Sequence, residues 1–309
     1  MRGGGDYPVT APHDDPEMAA IASALAAADG PSILTHDAGV MRAVLSGLSP
    51  KGGPEMAMVE DRRVGGVPVR VYTPAAKVGG AVILFHGGGW TVGSVADYDH
   101  FARSLAELTG RRILSVEYRL APENPFPAAV EDAWAVVREM EEDGPLFLLG
   151  DSAGGNLAAV TAQMARDRGA PRIDGQILIY PSVAGDVDGD AMHAFVPPIM
   201  AREEIAAYYD LYVPDRADRF DIRFAPLSGR LDGLPPTLVV TAGRDLLADE
   251  GARYADALSR AGVPVTRHEE PAAFHAFLTL FPATQAAGRS RGAIRDFLAG
   301  IADRKAGGA

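Results

Sequence analysis

Leu146-Phe147-Leu148-Leu149-Gly150-Asp151-Ser152-Ala153-Gly154-Gly155-Asn156 is the stretch that decides how this chain folds. Four apolar residues predict a buried strand, and the run from Ala153 to Asp167 has the pattern of a helix. Between them stands Gly150-Asp151-Ser152-Ala153-Gly154, a G-x-S-x-G. A serine at such a strand-to-helix turn is forced into a strained backbone that holds its hydroxyl above the sheet edge. Glycines two residues to either side are needed because neighbouring elements pass too close for a Cβ. The helix N-terminus also directs free N–H groups at any developing anion. The plain alternative is a Gly-rich turn with an ordinary serine; the strand before and the helix after favour a nucleophile.

Outward from this turn the chain alternates. Short β-branched runs occur at Val82–Phe85, Ile113–Val116, Leu146–Leu149, Ile177–Tyr180 and Thr237–Thr241, with a weaker one at Val263–Arg267. Helix-like segments separate them at Val95–Thr109, Phe126–Met140, Ala153–Asp167, Ala248–Ala261 and Ala286–Ile301. Strands apolar on both faces, joined by helical crossovers, predict an α/β fold: a mostly parallel central sheet with helices on both faces. Ahead of it, Met58–Val59 and Val67–Val71 predict a hairpin turning near Gly65-Gly66, and Asp15–Leu48 reads as two helices. More than fifty residues separate Tyr180 from Thr237, far more than a crossover needs. This stretch holds an acidic, Pro-containing segment from Gly185 to Pro198 and a helix near Ala201–Leu211. It predicts an insertion that joins the N-terminal helices as a lid over the C-terminal sheet edge. The expected division is 1–50 for N-terminal helices of the cap, 51–182 and 225–309 for the two parts of the core, and 183–224 for the cap insertion.

The serine needs partners. His86-Gly87-Gly88-Gly89-Trp90 directly follows the strand Val82–Phe85, and glycines running off a strand leave bare N–H groups for a ligand oxygen. With the N–H of Ala153 they predict an oxyanion hole. A phosphate loop is excluded, since no G-x-x-x-x-G-K-[ST] occurs, and the spacing from Gly89 to Gly93 fails the dinucleotide fingerprint. Trp90 either lines the substrate pocket or plugs the core. Of seven histidines, His275 in Phe274-His275-Ala276-Phe277 lies after the last strand, at the same sheet edge as Ser152. His13, His36, His193 and His268 read as solvated, and His86 as a brace for the glycines. Asp245 follows the strand Thr237–Thr241 and is the orienting acid, with Asp249 and Glu250 expected as charge partners of a helix start. The order Ser152, Asp245, His275 is one of the three known serine-triad orders.

With these residues in view, the sequence resembles the hormone-sensitive-lipase-like family of bacterial α/β-hydrolases. The resemblance rests on His86-Gly87-Gly88-Gly89-Trp90, Tyr118-Arg119-Leu120-Ala121-Pro122-Glu123 and Gly150-Asp151-Ser152-Ala153-Gly154-Gly155-Asn156. It extends to Asp245-Leu246-Leu247-Ala248-Asp249-Glu250 and Phe274-His275-Ala276-Phe277. It implies an α/β-hydrolase fold with a helical cap and carboxylesterase activity on short-chain esters, with no cofactor. It also implies Ser152, Asp245 and His275 as catalytic residues, and Gly88, Gly89 and Ala153 as oxyanion-hole donors. Pairing of two copies through an edge strand is a further expectation. Two departures stand out: Leu246 where the family usually has proline, and Ala276 where it usually has glycine.

Composition narrows the rest. A net charge of −12 repels a phosphate backbone, so nucleic acid is not expected as a partner. With no cysteine, disulfides, thiolate metal sites and a Cys nucleophile are excluded. Asp186, Asp188 and Asp190 imitate a calcium loop, but Ala191 and Pro197 stand where Gly and Glu are needed, so no metal is expected. No apolar run is long enough to span a bilayer, and Met1–Asp15 lacks the pattern of a leader, which together predict a cytoplasmic protein. The expected partner is a small-molecule ester, with Trp90, Phe195 and Tyr209 as candidates to meet it. Two rivals keep the fold: an amidase or formamidase on the same triad, and a non-catalytic receptor. The receptor reading is disfavoured by His275.

Overall fold

Strand β3 (Ala81–Phe85) shows why the sheet is buried: Ile83 and Phe85 enter one core while Val82 and Leu84 enter the other. Strand β5 (Leu146–Asp151) repeats the division, with Leu146 and Leu148 on the first side and Phe147 and Leu149 on the second. Strands that are apolar on both faces must be covered on both faces. Helices α4 (Ala128–Arg138), α5 (Ala153–Arg168) and α7 (Ala248–Arg260) cover one side, through Val136, Leu157 and Leu258. Helices α3 (Asp99–Thr109) and α9 (Gln285–Ala306) cover the other, through Leu105 and Leu298. The computed structural model describes residues 15–27, 37–140 and 144–306. His13 and His36 lie outside them.

The sheet has eight strands in the order β1-β2-β4-β3-β5-β6-β7-β8. Besides β3 and β5 these are β1 (Met58–Val64), β2 (Val67–Thr73), β4 (Arg112–Val116), β6 (Gly175–Ile179), β7 (Thr237–Arg244) and β8 (Val265–Phe274). The hairpin β1–β2 is antiparallel and joins β4 antiparallel, while every pairing from β4 to β8 is parallel. Parallel strands deliver all their C-terminal ends to one edge, and there the chain changes from strand to helix at Ser152.

The structure departs from the sequence reading at several element ends. Helix α3 starts at Asp99, not Val95, because Ser94 and Asp97 bond to each other (Oγ to Oδ2, 2.7 Å) in a preceding turn. Helix α4 is two residues shorter at each end than the expected Phe126–Met140. Strand β8 runs on to Phe274, well past Arg267, although His268-Glu269-Glu270 breaks the apolar pattern. Its charges are absorbed locally: Glu270 is buried and accepts from Arg289 at 2.5 Å and sits 2.9 Å from His268 Nε2. His268 is thus paired and not simply solvated.

Helices α1 (Pro16–Ala27) and α2 (Ala38–Leu48) precede the sheet, each opened by an aspartate that caps its first N–H groups, Asp15 and Asp37. Arg42 fastens α2 to the core: its guanidinium donates to the carbonyls of Thr91 and Ala121, both at 2.9 Å, and forks onto Glu123. The long segment between β6 and β7 carries helix α6 (Arg202–Tyr212) and three short 3-10 turns. Asp188 on its acidic part pairs with Arg202 at 2.6 Å. Among the described residues no helix is long and apolar enough to cross a membrane.

Both ends of that segment are tied by core side chains. The amide Nδ2 of Asn156, fully buried on α5, donates to Ser182 O at 2.8 Å and Phe224 O at 2.7 Å. Glu250 on α7 accepts from the N–H groups of Val183 at 3.2 Å and Ala184 at 2.8 Å. It lies in the first turn of α7, as expected of a helix-start charge, and is in addition a buried clamp; Asp249 faces outward, paired with Arg253. Burial pushes the Glu250 carboxyl up to about 8, against the pull of those two N–H groups.

Two tests follow from this neck. Asn156→Ala orphans two buried carbonyls and is expected to cost about 2–4 kcal/mol in urea unfolding, a loss too large for a surface amide. For Glu250, the folded protein holds a proton that the unfolded chain releases above the ordinary value of 4.5. Its contribution is therefore complete below that value and is lost as pH rises through about 8. Urea midpoints measured from mildly acidic to mildly alkaline pH should fall, and Glu250→Gln, neutral throughout, should flatten the decline.

Candidate active site

Ser152 has φ 54° and ψ −120°, a conformation L-residues rarely adopt. It is held there from both sides. Its N–H donates to Ile179 O on β6 at 2.8 Å, and its carbonyl accepts from Asn156 N–H at 3.0 Å. The flanking glycines allow the tight turn: a Cβ on Gly150 would collide with the Gly154 backbone, and one on Gly154 with the Phe85 carbonyl. The serine hydroxyl so displayed lies 3.0 Å from Nε2 of His275, and Nδ1 of that ring lies 2.6 Å from Oδ2 of Asp245. All three side chains are buried. The structure thus brings together the serine, histidine and acid that the sequence reading selected from distant parts of the chain.

Each partner is placed by its own strand. Asp245 follows β7, and its Oδ1 accepts the N–H of Leu247 at 2.9 Å, which fixes the carboxylate while Oδ2 faces the imidazole. Leu246, where the family has proline, is buried in the core. His275 follows β8, with the Tyr180 ring 4.8 Å away. Ala276, where the family has glycine, sits at φ 61°, a left-handed position that costs a non-glycine residue about 1–2 kcal/mol. Burial alone would depress the His275 imidazole. The charge and hydrogen bond of Asp245, helped by Asp151 and Glu204, outweigh it and hold the ring above its ordinary value of 6.5.

The glycine loop packs against this centre. Gly88 and Gly89 have φ of 111° and 55°, and a Cβ on Gly89 would run into the Tyr208 ring. His86 beneath them is buried and kept neutral by that burial; its Nδ1 is 2.8 Å from Gly87 O and its ring stacks on Tyr118 at 4.2 Å. A second link escaped the sequence reading. The Gly87 N–H donates to the Tyr98 hydroxyl at 3.0 Å, which donates to Asp151 Oδ2 at 2.9 Å. The variable residue of G-x-S-x-G is thereby tied to the glycine loop, and burial raises its carboxyl to about 6. No local pattern announces this pairing, because Tyr98 stands in a turn.

A cavity of about 370 Å³ opens over Ser152 and His275, a size suited to a small ligand. Leu25 of α1 and Val44, Leu45 and Leu48 of α2 form one wall, and Pro198–Met200, Glu204 and Tyr208 from the insertion form another. Gly88, Gly89 and Asp151 belong to its floor. Trp90, expected to meet substrate, is not on these walls. It is 1 % exposed, stacked on Tyr212 at 4.7 Å, and borders a much smaller void shared with Ser152 and Ala153. The large indole buries more surface there than a pocket wall would permit. Tyr209 is likewise core, bonded to Ser182 Oγ at 2.7 Å, and Phe195 is 40 % exposed and outside the cavity. Among the described residues no group of three or more His, Asp or Glu could hold a metal ion.

Residues 82–279 match the α/β-hydrolase fold family. The chain belongs to its hormone-sensitive-lipase-like branch. Carboxylesterase NlhH of Mycobacterium tuberculosis is 38% identical over 264 residues, 77% of this chain and 82% of that protein. The ethyl acetate hydrolase of Pseudomonas putida is 34% identical, over 69% of this chain and 72% of its own. Among solved structures, the ester hydrolase EH1AB1 from the Lake Arreo metagenome, determined with a bipyridine phosphonate derivative, superposes with a TM-score of 0.85. Its identity is 32%, and the match covers 94% of this chain and 99% of that one. The match to this branch spans both the glycine loop and the Ser152 turn.

The raised imidazole has a measurable sign. By NMR, the His275 ring of the folded protein should titrate above 6.5, and Asp245→Asn should bring it below that value, since burial then acts without its carboxylate partner.

Proposed function

We propose that this protein hydrolyses short-chain carboxylic esters through an acyl-enzyme on Ser152. The coarser assignment, a carboxylic ester hydrolase, follows from its family and from relatives that are named carboxylesterases and esterases. The finer reading is carried by one observation, the continuous hydrogen-bonded chain Ser152–His275–Asp245 at 3.0 Å and 2.6 Å.

In this reading His275 Nε2 takes the hydroxyl proton as Ser152 Oγ attacks the ester carbonyl. Asp245 holds Nδ1–H and stabilises the imidazolium. The carbonyl oxygen becomes an oxyanion among the N–H groups of Gly88, Gly89 and Ala153; the last is a first-turn helix donor with no partner inside its own helix. The C–O bond then breaks, the alcohol leaves with the proton from His275, and water repeats the two steps on the acyl-enzyme. Helices α1 and α2 and the insertion 183–224 serve as the cap that closes the acyl site. The cavity of about 370 Å³ supports a short acyl group, and the relative named for ethyl acetate points the same way.

An amidase would use the same atoms, and its distinguishing need is protonation of a poorer leaving group. The decisive experiment compares 4-nitrophenyl acetate, butyrate, octanoate and palmitate with a matched anilide. Turnover should be fastest for the two short esters and slower by orders of magnitude for the anilide. Ser152→Ala should lose at least 10³-fold, on the order expected when a triad nucleophile is removed. Retention of more than a few per cent would refute the role of Ser152.

A further inference from the structure

The cavity over Ser152 carries a charge pattern that ester hydrolysis does not require. Among the described residues its charged side chains other than His275 are Asp151 and Glu204, and neither lysine nor arginine lines it. Asp151 is committed beneath the glycine loop, where a Cβ on Gly87 would stand 2.6 Å from its Oδ2. Glu204 is placed differently. It belongs to the third residue position of α6, where its Oε2 accepts the N–H of Ala201 at 2.7 Å, and it shares the insertion wall with Met200 and Tyr208. An ionised carboxylate can accept about four hydrogen bonds, so closing the helix end leaves capacity for a ligand donor.

That helix-end role does not account for the charge. A glutamine closes a helix N-terminus through the same amide–carbonyl geometry and carries no cost of placing a charge in an apolar wall. Glu204 is half-buried there, and burial holds its carboxyl above the ordinary range, while the N–H groups of Ala201 and Met200 and, to a smaller extent, His275 pull it back. The two groups therefore feel each other across the cavity in which substrate would lie.

We propose that Glu204 sets the charge preference of this cavity, selecting esters that bear an ammonium group and rejecting those that bear a carboxylate. The inference rests on the reading of this cavity as an ester-hydrolase site. An ammonium group entering an apolar enclosure must shed water, which is costly unless a carboxylate meets it. Glu204 supplies that partner. A substrate carboxylate meets Glu204 and Asp151 with no lysine or arginine among the described residues of the walls to offset them. Neutral esters fall between the two.

The test uses three nearly isosteric ethyl esters: ethyl 6-aminohexanoate, ethyl heptanoate and monoethyl adipate, followed by pH-stat at mildly alkaline pH. A second pair, choline butyrate and 3,3-dimethylbutyl butyrate, places the charge on the alcohol. Each kcat/KM is taken as a ratio to the neutral ester for the same protein. The cationic ester, on one side or the other, should exceed the anionic one by roughly tenfold or more. In Glu204→Gln, which keeps a helix-end acceptor, that ratio should collapse toward unity. Equal ratios in the unmodified protein, or a preference that survives Glu204→Gln, would overturn the proposal. If the folded protein cleaves none of these esters, the esterase reading fails on its own. Charge selectivity is then read from calorimetric binding of hexylammonium and hexanoate to Ser152→Ala, where tighter hexylammonium binding lost in the additional Glu204→Gln supports the proposal and equal affinities overturn it.

Discussion

Everything at this site depends on one strained residue. Ser152 occupies a backbone conformation worth on the order of 1–3 kcal/mol of strain, and it does so because strand, helix and sheet leave it no alternative. Gly150 and Gly154 allow the strand β5 and the helix α5 to approach within reach of one another, and the bond from Ser152 N–H to Ile179 O locks the turn to the adjacent strand. Release any of these and the hydroxyl no longer meets His275. The strain is sustained by the close-packed double core on either side of the sheet.

The electrostatics follow from the same geometry. A buried imidazole would ordinarily lose its capacity to hold a proton, which would make it a poor base. Here Asp245 stands 2.6 Å away, and Asp151 and Glu204 add negative charge at longer range. The ring is kept basic in a dry setting, and the imidazolium that forms during attack finds its counter-charge already in position. His86 is the contrast: equally buried but without a carboxylate against it, it stays neutral and serves the glycine loop as a fixed donor.

What the sequence disclosed and what it hid divide along physical lines. Strands β3 to β7 announce themselves because both faces are apolar, and Ser152, Asp245 and His275 because each follows such a strand at the same edge. β8 was only half legible: Glu270 is buried against Arg289 and His268, and a charge neutralised by a distant residue looks the same in one dimension as a solvated one. The same holds for Glu250, read as a helix-start charge and found clamping Val183 and Ala184, and for Asp151, tied to Tyr98. Trp90 was open between lining the pocket and plugging the core, and the structure places it in the core. Its place beside the glycine loop suggested contact with substrate, yet burial against Tyr212 and Phe224 claims its whole ring. Contacts between a side chain and groups remote in sequence leave no periodic trace, and these account for nearly all that was missed.

The neck of the insertion has one more consequence. Asn156 grips the carbonyls of Ser182 and Phe224 with a single amide, so the two ends of a long excursion are pinned side by side in a chain that has no cysteine with which to do it. For a loop closed at its base, each doubling of length adds only about 0.6 kcal/mol of closure entropy. The excursion's exposed turns can therefore change length with little effect on the sheet below, while Tyr209, Tyr212 and Phe224 stay packed on Trp90. Length variation beyond this pin is thus kept apart from the strained serine and its partners, which stay where the core holds them.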